Sequence, residues 1–271
     1  MAVTMIRDIQ NEICGAIEEA YDVISKRDYN AFILLIGRAE IQKGLKAIVG
    51  TDLVMEYKWD IYLDETRSQF YINYLNKNYS RDGYDYPQET AINDITTEMI
   101  IYSHLWDSNY FMKSLYRIAA IIAGKGYIWE SVLPNREVHI HFRDNVIKPL
   151  KDNKLRLGDI IEKAYHSSIR NAFAHSRYHI DLCTRRIDIR PKSGYNSFSF
   201  KEFQQIFLYS SILMNKMENY QEMNHNEAAR KNTALTEPFL TPDGVKVQVF
   251  GRMIQRGEEQ YPEFRLARII E

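Results

Sequence analysis

A chain of 271 residues has room for one large domain or two small ones, and its 36 acidic against 35 basic side chains leave a formal net charge of −1, so no overall field draws it to nucleic acid or to an anionic membrane. Any polyanion site has to be local. Two cysteines, Cys14 and Cys183, stand far apart without metal-ligand spacing, which argues against a disulfide-stapled secreted scaffold. The chain opens without the basic start and apolar block of a signal peptide. Its apolar runs, Phe32 to Ile36 and Ile118 to Ala123, are far shorter than the ~20 residues of a membrane-spanning helix; a cytoplasmic protein with no membrane contact is expected.

In chain order, Ile6, Ile9, Ile13, Ile17, Ala20 and Ile24 recur every three or four residues and predict a first helix with one apolar stripe. A second helix is expected from about Asn30 to Val49 through Phe32, Ile36, Ala39, Leu45 and Ile48, with Gly50 as its C-cap. The tyrosine-rich stretch 57–86 predicts a helix near 62–78 and a polar loop at Ser80-Arg81-Asp82-Gly83. Its tyrosines suit a bundle core better than base stacking. Helices follow near 92–105 and 109–124, with Asp107 or Ser108 capping the second and Gly124-Lys125-Gly126 stopping it. Residues 137–150 read both ways, since Val138, Ile140 and Phe142 alternate like a strand; helix is expected only after Phe142.

Asp159 is expected to cap the next helix, whose apolar side is Ile160, Ile161, Ala164, Tyr165, Ser168, Ile169 and Ala172. A β-hairpin is then predicted by the alternation of Tyr178, Ile180 and Leu182 and of Ile187 and Ile189 around a Thr184-Arg185-Arg186 turn. Ser199 and Glu202 form a capping box that opens a long helix through Phe203, Ile206, Phe207, Ser210 and Leu213. Beyond about Asn232, Val245, Val247 and Val249 and then Phe264 and Leu266 point to a small antiparallel appendage. The expected division is a helical domain over 1–230 and a β appendage over 231–271.

Within the helix after Asp159 lies Ser-Ile-Arg-Asn-Ala-Phe-Ala-His-Ser, with Arg170, Asn171 and His175 in the order Arg, polar, then His five residues after the Arg. Together with the amphipathic helix before it and the hairpin after it, this string resembles the active motif of the HEPN ribonuclease superfamily, over roughly residues 159–182. Arg136 and His141 repeat the spacing, but in an alternating Glu137-Val138-His139-Ile140-His141 context. The resemblance implies a mainly α, four- or five-helix bundle, here with a short β-hairpin after the motif helix and a small C-terminal β appendage. It also implies a homodimer with its motifs facing across the interface, and a metal-independent endoribonuclease of the toxin or abortive-infection type. An antitoxin or a nucleotidyltransferase is the further partner such proteins often have. In some of those pairs a tyrosine two residues after the His is modified; here Tyr178 is three residues after His175.

The residue types suit that chemistry without a cofactor or metal. An imidazole exchanges protons near neutral pH, so His175 is the proton-transfer candidate. Arg170 offers a planar fork for two phosphate oxygens and for the charge of the transition state, and Asn171 orients or donates. Arg177, Tyr178 and His166 flank the motif and are the expected contacts to RNA. Residues 151–190 hold nine Lys or Arg against five Asp or Glu, a local surplus in keeping with a polyanion. On one continuous helix Arg170 and His175 would lie about 140° apart. Either the helix ends before His175, or two chains compose the site. Two alternatives use the same residues differently, a non-catalytic HEPN module that binds nucleotide or RNA and an interaction protein in which His175 fills a core; a third reading is a metal site at His139, His141 and Asp144.

Overall fold

The computed structural model describes residues 2–44, 50–57, 59–79, 85–130, 138–190, 194–231 and 236–269. Its architecture is mainly α with small antiparallel sheets. Helix α1 (Ala2–Arg27) buries the expected stripe of Ile9, Ile13, Ile17, Ala20 and Ile24. Asp28 then caps α2 (Tyr29–Ile36) by accepting from Ala31 N at 2.9 Å.

That second helix is far shorter than the apolar spacing predicts. It stops at Gly37, where a Cβ would lie 2.5 Å from Met55 Cε and 2.8 Å from Ile33 O. The chain turns through Arg38, in the left-handed region at φ 50°. Strand β1 (Glu40–Ile41) then pairs with β2 (Leu53–Val54). Leu45 and Ile48 lie outside the described residues, and Gly50 is no helix cap. The spacing fails as a guide because Ala39, fully buried, belongs to the turn into the sheet rather than to a helix face.

Helices α3 (Trp59–Asn78), α4 (Ala91–Asp107) and α5 (Asn109–Ile122) follow. Ser108 caps α5 by accepting from Phe111 N at 3.2 Å. The Ser80-Arg81-Asp82-Gly83 loop lies outside the described residues. Tyr71, Tyr79 and Tyr86 are buried and Tyr74 packs against the core, whereas Tyr62 and Phe70 are exposed, so core filling accounts for part of that aromatic stretch. Helix begins again at Val138, earlier than expected, as α6 (Val138–Phe142), a π turn (Arg143–Ile147) and α7 (Lys148–Asp152). Phe142, Val146 and Leu150 share its buried side. The wide turn directly precedes Pro149, whose ring would otherwise crowd the carbonyl four residues back.

Helix α8 (Arg156–Ala164) and α9 (Ser167–Ala174) replace the single motif helix expected from sequence. Asp159 sits in the first turn of α8 and Leu155 is its cap residue. The hairpin is present as β3 (Tyr178–Asp181) and β4 (Arg186–Ile189), and β5 (Asn196–Ser199), which sequence did not reveal, extends it to three strands. Ser199 and Glu202 close the capping box on α10 (Phe200–Arg230), the helix against which α1, α2, α4 and α8 pack. The last sheet is β6 (Phe239–Leu240), β7 (Lys246–Arg256) and β8 (Glu259–Arg268). It packs on the end of α10, with Gly251 so close to Ala229 that a Cβ there would meet its carbonyl oxygen at 2.5 Å. Val247, Val249 and Phe264 join the same core as the helices. No helix among the described residues is long and apolar enough to cross a membrane.

One buried carboxyl ties the tyrosine-rich segment to this core. Glu98 on α4 is fully buried and accepts from Tyr79 at 2.6 Å, from Tyr74 at 3.2 Å and from Tyr86. Burial outweighs the three phenol donors and pushes its pKa from 4.5 to about 8. The folded state therefore holds a proton that the unfolded chain loses near 4.5, and this site's contribution to stability falls as pH rises from there to about 8. Glu98→Gln keeps the shape without the charge; urea melts should show a shallower loss of stability for the variant than for the wild type between about pH 5 and about pH 8.

Candidate active site around the Arg170 to His175 helix

The motif helix owes its independence to a break at Tyr165 and His166, residues with extended backbone between α8 and α9. Ending one helix and starting another inside a core orphans backbone groups, which must find partners. The hydroxyl of Tyr102, fully buried on α4, accepts from His166 N at 2.7 Å and points its proton between Ala164 O at 3.1 Å and His166 O at 3.3 Å. Ser210 of α10 donates to Ala164 O at 3.0 Å and accepts from Trp106 Nε1 at 3.1 Å. Tyr165 wedges between Trp106 and Phe142, with ring centroids 4.8 and 4.7 Å away.

The break shifts the phase of everything after it. Ile169 and Ala172 are the buried residues of α9. Arg170, its side chain 27% exposed, forms an ion pair with Asp107 at the end of α4 and offsets part of the burial that raises the Tyr165 pKa. Asn171 is exposed. His175 is the C-cap residue with φ −110° and ψ 12°, outside the helix proper. It is exposed and does not lie on the buried side with Ile160, Ala164 and Ser168, where a continuous wheel would put it. Among the described residues no hydrogen bond or ion pair joins Arg170 to His175; within one chain Arg170 is turned to Asp107.

Beyond His175 the chain reverses in a Schellman turn. Ser176 N donates to Phe173 O at 3.0 Å and Arg177 N to Ala172 O at 2.7 Å. Ser176 occupies the left-handed position at φ 52°, where glycine is the usual residue. The turn delivers Arg177, exposed, and Tyr178, half-buried and stacked on Phe173 at 5.9 Å. With His179, Asp188, Arg190 and Tyr195 they line an open cleft of 850 Å³ on the three-stranded sheet. His166, the third expected RNA contact, stands apart from that cleft. It caps α9, is half-buried against Phe198 at 5.8 Å, and burial lowers its pKa. His179, Arg190 and Tyr195 were not singled out from sequence; their alternation on β3 and in the turn after β4 was the available signal.

His141, of the second Arg-to-His spacing, is an exposed residue with its ring 5.2 Å from Tyr116 and its Nδ1 3.2 Å from Asn145. Arg136 and the side chain of His139 lie outside the described residues. Among the described residues no three His, Cys, Asp or Glu side chains stand together as metal ligands.

Two substitutions probe this local framework. Tyr102→Phe should destabilise the fold by about 1–3 kcal/mol, because it leaves the buried amide of His166 unpaired. Ser176→Gly should raise stability by about 0.5–1 kcal/mol by relieving the left-handed cap; chemical denaturation reads both. Comparison with known proteins finds that no family model, no curated protein and no solved structure matches this chain.

Proposed function

We propose that the protein is a metal-independent endoribonuclease of HEPN type that cleaves single-stranded RNA. The observation that carries the reading is the placement of His175. It is exposed at the end of its own short helix, one residue before a cleft with Arg177, His179 and Arg190 on its wall. A proton-transfer group beside cations that attract a phosphate backbone is what strand cleavage requires. In the reaction the ribose 2′-hydroxyl gives up its proton as its oxygen attacks phosphorus, and the departing 5′ oxygen takes one up. His175 serves that transfer, and Arg170 exchanges Asp107 for the phosphate and steadies its growing charge. Since Arg170 is held by Asp107 and forms no hydrogen bond or ion pair with His175 within one chain, a homodimer completes the site with the second copy's motif. A cytoplasmic role as a toxin or defence effector fits this activity.

Purified protein should cut single-stranded RNA in EDTA, leave 2′,3′-cyclic phosphate ends and spare DNA. His175→Ala and Arg170→Ala should each slow cleavage at least about a hundredfold, with thermal stability little changed, whereas His141→Ala should cut at the wild-type rate. An intact RNA panel, or full activity in both motif variants, overturns the assignment; tight RNA binding without cleavage marks a non-catalytic module instead. Sedimentation at micromolar concentration should show a dimer, and a monomer alone would remove the shared-site mechanism.

A further inference from the structure

A second cleft, which shares no residue with the motif, lies where the end of α10 meets the C-terminal hairpin. It encloses 430 Å³ and is lined by Arg38, Glu56, Glu222, His225, Arg230 and Tyr261, among others. Two of its residues adopt left-handed backbone that glycine would hold without strain, Arg38 at φ 50° and Glu56 at φ 58°. Arg38 occupies the position after the cap of a Schellman turn, with its N donating to Leu35 O and Ala39 N to Leu34 O. The chain places glycine one residue earlier, so the strained position carries a guanidinium instead.

That guanidinium is hydrogen-bonded to the Tyr110 side chain, yet not fully satisfied. It lies over the Tyr110 ring at 5.5 Å, and its buried Nε donates to nothing in the structure. A buried donor left without an acceptor destabilises the fold. Among the described residues neither Arg38 nor Arg230 forms an ion pair. Two of the nearby acids are engaged: Glu263 pairs with Arg252 at 3.3 Å and Arg265 at 2.6 Å, and Glu56 is hydrogen-bonded to His225 at 3.0 Å and to the amide of Phe264 at 2.6 Å. Glu222 lines the same cleft as the two arginines. His225 is held rigid, with its Nδ1 3.3 Å from Asn226 Oδ1 and its ring edge-on to Phe264 at 4.8 Å. Tyr261, 42% exposed, offers an apolar face at the mouth.

Strain and an unpaired buried donor converging on one enclosed space point to a ligand that supplies what the fold withholds. We propose that this cleft binds a small phosphomonoester of about mononucleotide size, within the usual volume range of ligand pockets. Arg38 and Arg230 take the phosphate oxygens, Glu222 accepts from a ligand hydroxyl or amine, and Tyr261 covers a ring. Phosphate is favoured over carboxylate because it presents enough oxygens for two guanidinium forks at once.

Titration calorimetry with inorganic phosphate, ribose 5-phosphate and adenosine 5′-monophosphate tests this. The expected order of affinity is monophosphate nucleoside, sugar phosphate, then phosphate. Arg230→Ala, on the exposed end of α10, should weaken nucleotide binding at least about tenfold, the scale of one charge-assisted hydrogen bond. Arg38→Gly removes both strain and orphan donor, so it should melt no lower than the wild type while losing the ligand. Absence of heat with all three probes, equal affinity for phosphate alone, or undiminished binding in both variants overturns the proposal. RNA cleavage is read separately and tests only the motif site.

Discussion

The geometry of the motif rests on one phenol. Tyr102 satisfies the amide of His166 and the carbonyl of Ala164 across the junction of α8 and α9, and by doing so lets the backbone leave helical conformation inside a dry core. Without such a partner, a break there would bury unpaired polar groups, and the segment would be better off as the single helix its amphipathic pattern favours. Ser210 supports the same carbonyl from α10 and receives Trp106 in turn. The direction of α9, and hence where Arg170 and His175 point, follows from this cluster rather than from the motif residues themselves.

Buried charge is handled in two ways elsewhere. Glu98 is surrounded by phenols and keeps its proton to about pH 8, so it acts as a neutral hub between α3, α4 and the chain before α4. Arg117 on α5, only 6% exposed, pairs with Glu40 of β1, donates to Ile128 O at 3.1 Å and lies over the Tyr127 ring at 5.1 Å. Lys113 adds Asp60 at 2.8 Å. Removing one member of such a set leaves a charge without its partner, which makes the arrangement specific even where it adds little net stability. It fixes the short β1 and β2 pair against α5 and thereby the corner where α2 ends.

That corner and the end of α9 share a device. Both helices finish in Schellman turns whose left-handed residue is not glycine, Arg38 in one and Ser176 in the other. At Ser176 the turn redirects the chain so that the following residues line a cleft, whereas at the other turn Arg38 lines one itself. The chain tolerates the backbone strain at these positions because flanking packing overdetermines the turn: Gly37 under Met55 and Phe264 at one, Phe173 on Tyr178 at the other.

By itself the sequence determined the elements whose cause is local. The stripe of α1, the cap at Ser108, the capping box at Ser199 and Glu202, the alternation of β3 and β4 and that of β7 and β8 all depend on neighbours within a few residues. It also singled out Arg170 and His175 as an unusual string. Only the tertiary structure decided where α2 stops, because the close approach of Met55 and Phe264 to Gly37 comes from distant segments. Only it decided that the motif helix is broken, because the partners of the break lie on α4 and α10. The exposure of His175, the pairing of Arg170 with Asp107 and the gathering of Arg38, Glu56 and Arg230 around one cleft are likewise consequences of packing between elements remote in the chain. Periodicity carries no record of such contacts, since it reports which side of an element is apolar and not what that side meets.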